Sequence, residues 1–176
     1  IPNVTIGENA TALSIFYYNN KIYVGTKYLA FGNSGFNHEF HIFDVSNPAT
    51  PAPESSININ RDVNDIVVRD DVAYLATGPG SAPHTPLKVV NLSSEKIEDE
   101  FSTPLAHPGN SIFLLGNKLY FGTKRSTTGN DFYILDKDNL NFELSANSLK
   151  QNNTEVGDIV VQGKYAFIGL LGTGPQ

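Results

Sequence analysis

Two carboxylates and two hydroxyls recur at one register of this chain: Ser14, Asp65, Ser111 and Asp158 each open a twelve-residue window that aligns with the others without a gap. Two carboxylates held about 5–9.5 Å apart can act as acid and base, or acid and nucleophile, on a glycosidic bond. A ring of short polar side chains can also take up a cation or a small polar ligand. The plainer use of Ser and Asp at a strand start is to hydrogen-bond nearby backbone groups. That structural use is the expectation here, because no second catalytic pattern accompanies the carboxylates.

The remaining reactive side chains do not assemble into known chemistry. His38-Glu39-Phe40-His41 holds two histidines, but at i and i+3, whereas a helical zinc-protease pair needs i and i+4. On a strand, i and i+3 point to opposite faces. His84 and His107 each lie beside a proline, without a partner in sequence. Asp136-Lys137-Asp138-Asn139 begins like a calcium loop, yet Leu140 takes the fifth position and no Gly or terminal Glu follows at the required spacing. Gly78-Pro79-Gly80 and Gly172-Thr173-Gly174 lack the helix start and the Lys-Ser/Thr ending of a phosphate cradle. There is no Gly-x-Ser-x-Gly elbow and no cysteine, which excludes a thiol nucleophile, a disulfide framework and a thiolate metal site. These patterns lead us to expect no catalysis, no metal and no cofactor.

Contact surfaces are a better prospect. The segment Lys27 to Asn37, KYLAFGNSGFN, carries Tyr28, Phe31 and Phe36 in Gly- and Asn-rich surroundings. Aromatic side chains on a loop suit ligand or partner contact. A net charge of −6 with scattered Lys and Arg disfavours a phosphate-backbone partner, so nucleic acid is set aside. No run approaches the roughly 18–20 apolar residues of a membrane-crossing helix. With no Met anywhere, Ile1 is not a translation start, and a signal, anchor or larger upstream segment is expected before it.

The four windows define the elements that position these groups. They read SIFYYNNKIYVG, DIVVRDDVAYLA, SIFLLGNKLYFG and DIVVQGKYAFIG, and they start 51, 46 and 47 residues apart. Each is a hairpin whose two-residue turn begins with Asn19, Asp70, Gly116 or Gly163, residue types that tolerate the positive φ such turns need. Behind the turn runs an aromatic column, Tyr23, Tyr74, Tyr120 and Phe167, followed by Val24, Leu75, Phe121 and Ile168. Near-continuous apolar strands imply burial on both faces. A third strand is expected at Phe40–Val45, Leu87–Leu92 and Phe132–Leu135, and a fourth around Ser56–Ile59, Ile97–Phe101 and Asn141–Leu144.

Four strands per 40–50-residue repeat is the mark of propeller blades. The expected fold is all-β, a β-propeller or partial propeller of four-stranded antiparallel blades, with about 3.5 blades present. Residues 1–176 form a single segment with repeats at about 12–60, 61–106, 107–153 and 154–176, the last incomplete. In such a fold Ser14, Asp65, Ser111 and Asp158 line the channel mouth. Pro2 to Ile6 is a candidate closing outer strand, and an open blade edge offers a route to self-association.

DVNDIVVRDDVAYLAT (Asp62 to Thr77) and FHIFDVSNPATP (Phe40 to Pro51) resemble the bacterial LVIVD repeat. The third copy departs from that pattern, with Asp136-Lys137-Asp138-Asn139 where Ser-Asn-Pro is usual. The resemblance implies a secreted or cell-surface propeller, including the type carried behind a pilin-like helix. The expected function is then an extracellular, non-catalytic binding or adhesion module for a surface glycan or protein. The alternatives are a glycan-acting enzyme using the channel-mouth carboxylates and a structural subunit assembling through open edges.

Overall fold

A computed structural model describes residues 6, 10–28, 38–79, 85–103, 107–124, 131–144 and 154–172. All regular elements among them are strands, and they fall into four antiparallel sheets in chain order. The first sheet is β1 (Ala12–Tyr18), β2 (Lys21–Thr26), β3 (Phe40–Asp44) and β4 (Ala52–Ile57). The second is β5 (Val63–Arg69), β6 (Val72–Thr77), β7 (Leu87–Asn91) and β8 (Lys96–Phe101). The third is β9 (Gly109–Leu115), β10 (Lys118–Thr123), β11 (Phe132–Asp136) and β12 (Phe142–Leu144). The fourth holds β13 (Thr154–Gln162) and β14 (Tyr165–Gly172). Within each four-stranded sheet, neighbours in sequence are neighbours in space.

Each window folds into the hairpin that its turn residues favour. Asn19, Asp70, Gly116 and Gly163 all have φ between 49° and 60°, and Asn20 joins them at 60°. The first sheet's fourth strand begins at Ala52, earlier than the Ser56 expected from composition. Pro51-Ala52-Pro53 reads as a turn, but β4 is an edge strand, where a missing N–H costs no ladder bond. Of the candidate closing strand, residues 2–5 lie outside the described residues, and Ile6 is not in a strand.

Successive sheets pack face against face. The front of the first sheet, with Tyr23, Phe40 and Ile42, meets Ile66, Val68 and Leu75 on the back of the second. The front of the second, with Val67, Tyr74 and Val89, meets Ile112, Leu114 and Phe121 of the third. The front of the third, with Phe132 and its neighbours Phe113 and Tyr120, meets Val156, Ile159 and Val161 of the fourth. The aromatic column therefore points forward in each unit, towards the next sheet. Tyr23 and Tyr74 are buried there, whereas Phe167 stands 59% exposed on the last sheet, which has no further sheet on its front among the described residues.

A β-bulge falls at the same place in all four units, at Leu13, Asn64, Asn110 and Gly157, one residue before the Ser/Asp column. A bulge adds twist and re-aims side chains. Here the re-aimed amides of Asn64 and Asn110 donate to the carbonyls of Gly109 and Val156 on the next sheet, each at 2.7 Å.

Close packing also fixes the residue opposite the column. A Cβ on Gly25 would run into Val63, and one on Gly122 into the side chain of Val156. The units approach too tightly at these points for any larger residue.

Candidate functional site

The Ser/Asp column and the loops between the second and third strands share one end of the sheets. Ser14, Asp65, Ser111 and Asp158 pair with Gly25, Ala76, Gly122 and Gly169, at the end where β2, β6 and β10 run out into loops. The next residues, Thr26, Thr77 and Thr123, are buried and clamp the loop bases. Their amides donate to the carbonyls of Glu39, Pro86 and Asp131, each at 2.8 Å. Their hydroxyls donate to Glu39, Thr85 and Asp131 at 3.5, 2.8 and 3.4 Å. A second bond repeats beside them, from the amides of Lys27, Gly78 and Lys124 to the carbonyls of Thr11, Asp62 and Pro108. This threonine column went unread in the sequence, although Gly-Thr, Ala-Thr and Gly-Thr close the second strand in three successive copies.

Two members of the polar column, Ser14 and Asp65, are bonded to the next sheet. The Ser14 hydroxyl donates to the Val63 carbonyl of the next sheet at 2.9 Å. Asp65 accepts the Ile66 amide on Oδ1 at 2.9 Å and the Ile112 amide of the next sheet on Oδ2 at 2.8 Å. Asp158 accepts the Ile159 amide on Oδ1 at 2.8 Å, and its side chain is exposed on the last sheet. The Ser111 hydroxyl is buried.

Burial pushes the Asp65 carboxyl up to about 6, against the two amide bonds that favour its ionised form. The Asp158 charge pushes the Asp65 carboxyl the same way, more weakly.

His38, Glu39 and the Asp136–Asn139 turn make structural bonds, while His41 Nε2 is buried without a hydrogen-bond partner among the described residues. His38 Nδ1 and the Ser56 hydroxyl share a hydrogen bond of 2.6 Å. Glu39 is buried, and its Oε2 accepts the amides of Ile59 and Asn60 at 2.9 and 2.8 Å. Burial raises the Glu39 carboxyl and lowers the His41 imidazole. In the Asp136–Asn139 turn, Asp136 accepts the Asp138 amide and Asn139 accepts the Asn141 amide. Among the described residues no group of three or more His, Asp or Glu is placed to hold a metal ion.

Of the three aromatic residues proposed for contact, Tyr28 is half-buried and its amide donates to Asp62 Oδ1 at 2.7 Å. Phe31 and Phe36 lie outside the described residues.

Fold and site together define a repeat β-propeller. The LVIVD repeat matches residues 21–58 and 154–173, taking in β2 to β4 of the first unit and the whole hairpin of the last. The Phe40–Pro51 stretch falls inside that match, and the Asp62–Thr77 stretch falls outside it.

No curated protein matches the chain in sequence. Among solved structures, the computationally designed Ika8 protein superposes with a TM-score of 0.64 at 11% identity, over 93% of this chain and 44% of its own. The designed Ika4 protein gives 0.64 at 11% identity, over 98% of this chain and 97% of its own. BamB from Moraxella catarrhalis gives 0.62 at 12% identity, over 93% and 45%. The chain thus spans less than half the length of Ika8 and of BamB. At these identities the likeness is one of fold.

Among the described residues no helix is long and apolar enough to cross a membrane.

Proposed function

We propose that this chain is a non-catalytic binding module, displayed outside the cell or on its surface, that engages a glycan or protein through the loop-bearing end of its sheets. The observation that carries the reading is the threonine clamp. Thr26, Thr77 and Thr123 hold three successive loop bases in the same way on tightly joined sheets. Rigid sheets presenting a row of loops are a common basis for recognition. The acidic charge and the LVIVD match support a surface setting.

The test is an immobilised-glycan and cell-surface binding screen with the chain, repeated with Tyr28→Ala plus Phe36→Ala. Binding lost in the double variant is expected. Binding that survives replacement of all three loops would contradict the reading.

One observation favours a second reading, a glycan-acting enzyme. Burial pushes the Asp65 carboxyl up to about 6, in the direction a general acid needs, and the Asp158 charge adds a weaker push. Against it, both Asp65 oxygens already accept backbone amides. Turnover of a glycan that Asp158→Asn abolishes would establish the enzyme, and activity untouched by that change would remove it.

A further inference from the structure

The seams between successive sheets are bonded according to the first residue of each window. At the first-to-second seam the Ser14 hydroxyl donates to the Val63 carbonyl at 2.9 Å. At the next two seams the side-chain amides of Asn64 and Asn110 donate to the carbonyls of Gly109 and Val156, each at 2.7 Å. Val63, Gly109 and Val156 hold the same place, one residue before the bulge. All three seams therefore make one neutral bond to the same carbonyl. The second-to-third seam adds a charged one, in which the Ile112 amide donates to Asp65 Oδ2 at 2.8 Å.

The difference lies in the amide that follows the first residue. An Asp takes that amide within its own unit: Asp65 Oδ1 accepts from Ile66 and Asp158 Oδ1 from Ile159. A serine need not. The Ser111 hydroxyl is buried without a hydrogen-bond partner among the described residues, and the Ile112 amide goes to Asp65 of the preceding unit. Ile66, Ile112 and Ile159 are equivalent in register, opposite Leu75, Phe121 and Ile168. Wherever one Asp unit followed another, two carboxylates would thus converge on a single N–H. Like charges brought together away from water oppose each other's ionisation. Burial already works against the Asp65 charge, and Asp158, two units on, adds a weaker push. A carboxylate one unit away would add a larger one.

We propose that the first residue of each window is a matching code for sheet-on-sheet packing, in which an Asp unit takes a Ser unit in front of it and rejects another Asp unit. The order Ser14, Asp65, Ser111, Asp158 satisfies the code at all three seams. The apolar faces alone would not supply it, because Ile66-Val67-Val68 and Ile159-Val160-Val161 are the same three residues in the second and fourth units. Discrimination between surfaces this alike needs a repulsive element as well as an attractive one. The paired carboxylates keep the fourth hairpin out of the place in front of Asp65, and the Ile112 amide draws the third hairpin into it. Units alike in their cores are thereby held in chain order.

Double-mutant cycles read by denaturant titration at pH 7 test the code. Ser14→Asp places a carboxylate behind Asp65, directed at the Ile66 amide that Asp65 already holds. Adding Asp65→Ser vacates that amide. Loss of the Ser14–Val63 bond is common to both backgrounds and cancels in the cycle. The folding equilibrium constant is expected to gain about tenfold more from Asp65→Ser in the Ser14→Asp background than in the unaltered chain. Ser111→Asp with Asp158→Ser is expected to couple in the same sense at the third-to-fourth seam, and carries the test alone if Ser14→Asp does not fold. Ser14→Asp with Asp158→Ser, which share no seam, should be additive. Additivity in either neighbouring pair, coupling of opposite sign, or equal coupling in the distant pair would overturn the proposal.

Discussion

The Asp65 carboxylate accepts the backbone amide of Ile112 at 2.8 Å, joining the innermost strand of one sheet to that of the next. The bond explains why an acid stands at a buried, tightly packed register, and it makes the junction sensitive to pH. The carboxyl is raised from 3.8 to about 6, so between those values the folded chain binds a proton that the unfolded chain has released. Stability from this group is therefore full below about pH 4 and declines as pH rises through 6. Replacing Asp65 by Ser, as the first unit has, should flatten that slope by on the order of 2 kcal/mol in denaturant titrations at pH 4 and 7. An unchanged slope would contradict the assignment.

Gly122→Val should cost about 1–3 kcal/mol, because a side chain there meets Val156 of the following sheet. Adding Val156→Ala should recover part of the loss. A double-mutant cycle with no coupling would mean that the two sheets are not in contact.

Thr77→Val removes the 2.8 Å bond to the Thr85 carbonyl while keeping the side-chain shape. A loss of about 1 kcal/mol is expected. Hydrogen exchange at the Thr77 and Gly78 amides should quicken with little change in β9 and β10. Uniform quickening across the chain would argue against a local loop clamp.

Glu39→Ala leaves the buried amide of Ile59 without its acceptor, takes one of two acceptors from the Asn60 amide, and should cost about 1–3 kcal/mol. Glu39→Gln keeps an acceptor oxygen and should cost less. Since burial raises the Glu39 carboxyl, its contribution falls as pH rises through the folded value, and Gln should remove that trend. Equal losses for Ala and Gln at pH 7 would show that the amide bonds are not what Glu39 provides.

Much of the architecture was legible because it repeats. Turn residues Asn19, Asp70, Gly116 and Gly163 announce their φ by type, and the apolar windows align without gaps. The start of β4 was obscured by Pro51 and Pro53, which compositional reading assigns to a turn and an edge strand accommodates. The bulge at Leu13, Asn64, Asn110 and Gly157 had no common residue type to betray it. Its position sets which side chains cross to the next sheet, so the inter-sheet bonds of Asn64 and Asn110 were not readable either. At the loop end, Ser14, Asp65, Ser111 and Asp158 were visible as a column, but the inter-sheet partners of Ser14 and Asp65 lie 49 and 47 residues away along the chain and emerge only from packing. Phe167 matched its column in type, while its exposure follows from the packing of its sheet, which has no further sheet in front of it among the described residues.

Pulsed electron–electron resonance tests the face-to-face arrangement most directly. The chain has no cysteine, so labels at Asn20, Asp71, Asn117 and Lys164 report single defined pairs at the hairpin turns. The account predicts three equal distances between successive turns, and a distance from the first to the fourth shorter than their sum, as an arc requires. Unequal steps would contradict it, and so would a first-to-fourth distance equal to the sum.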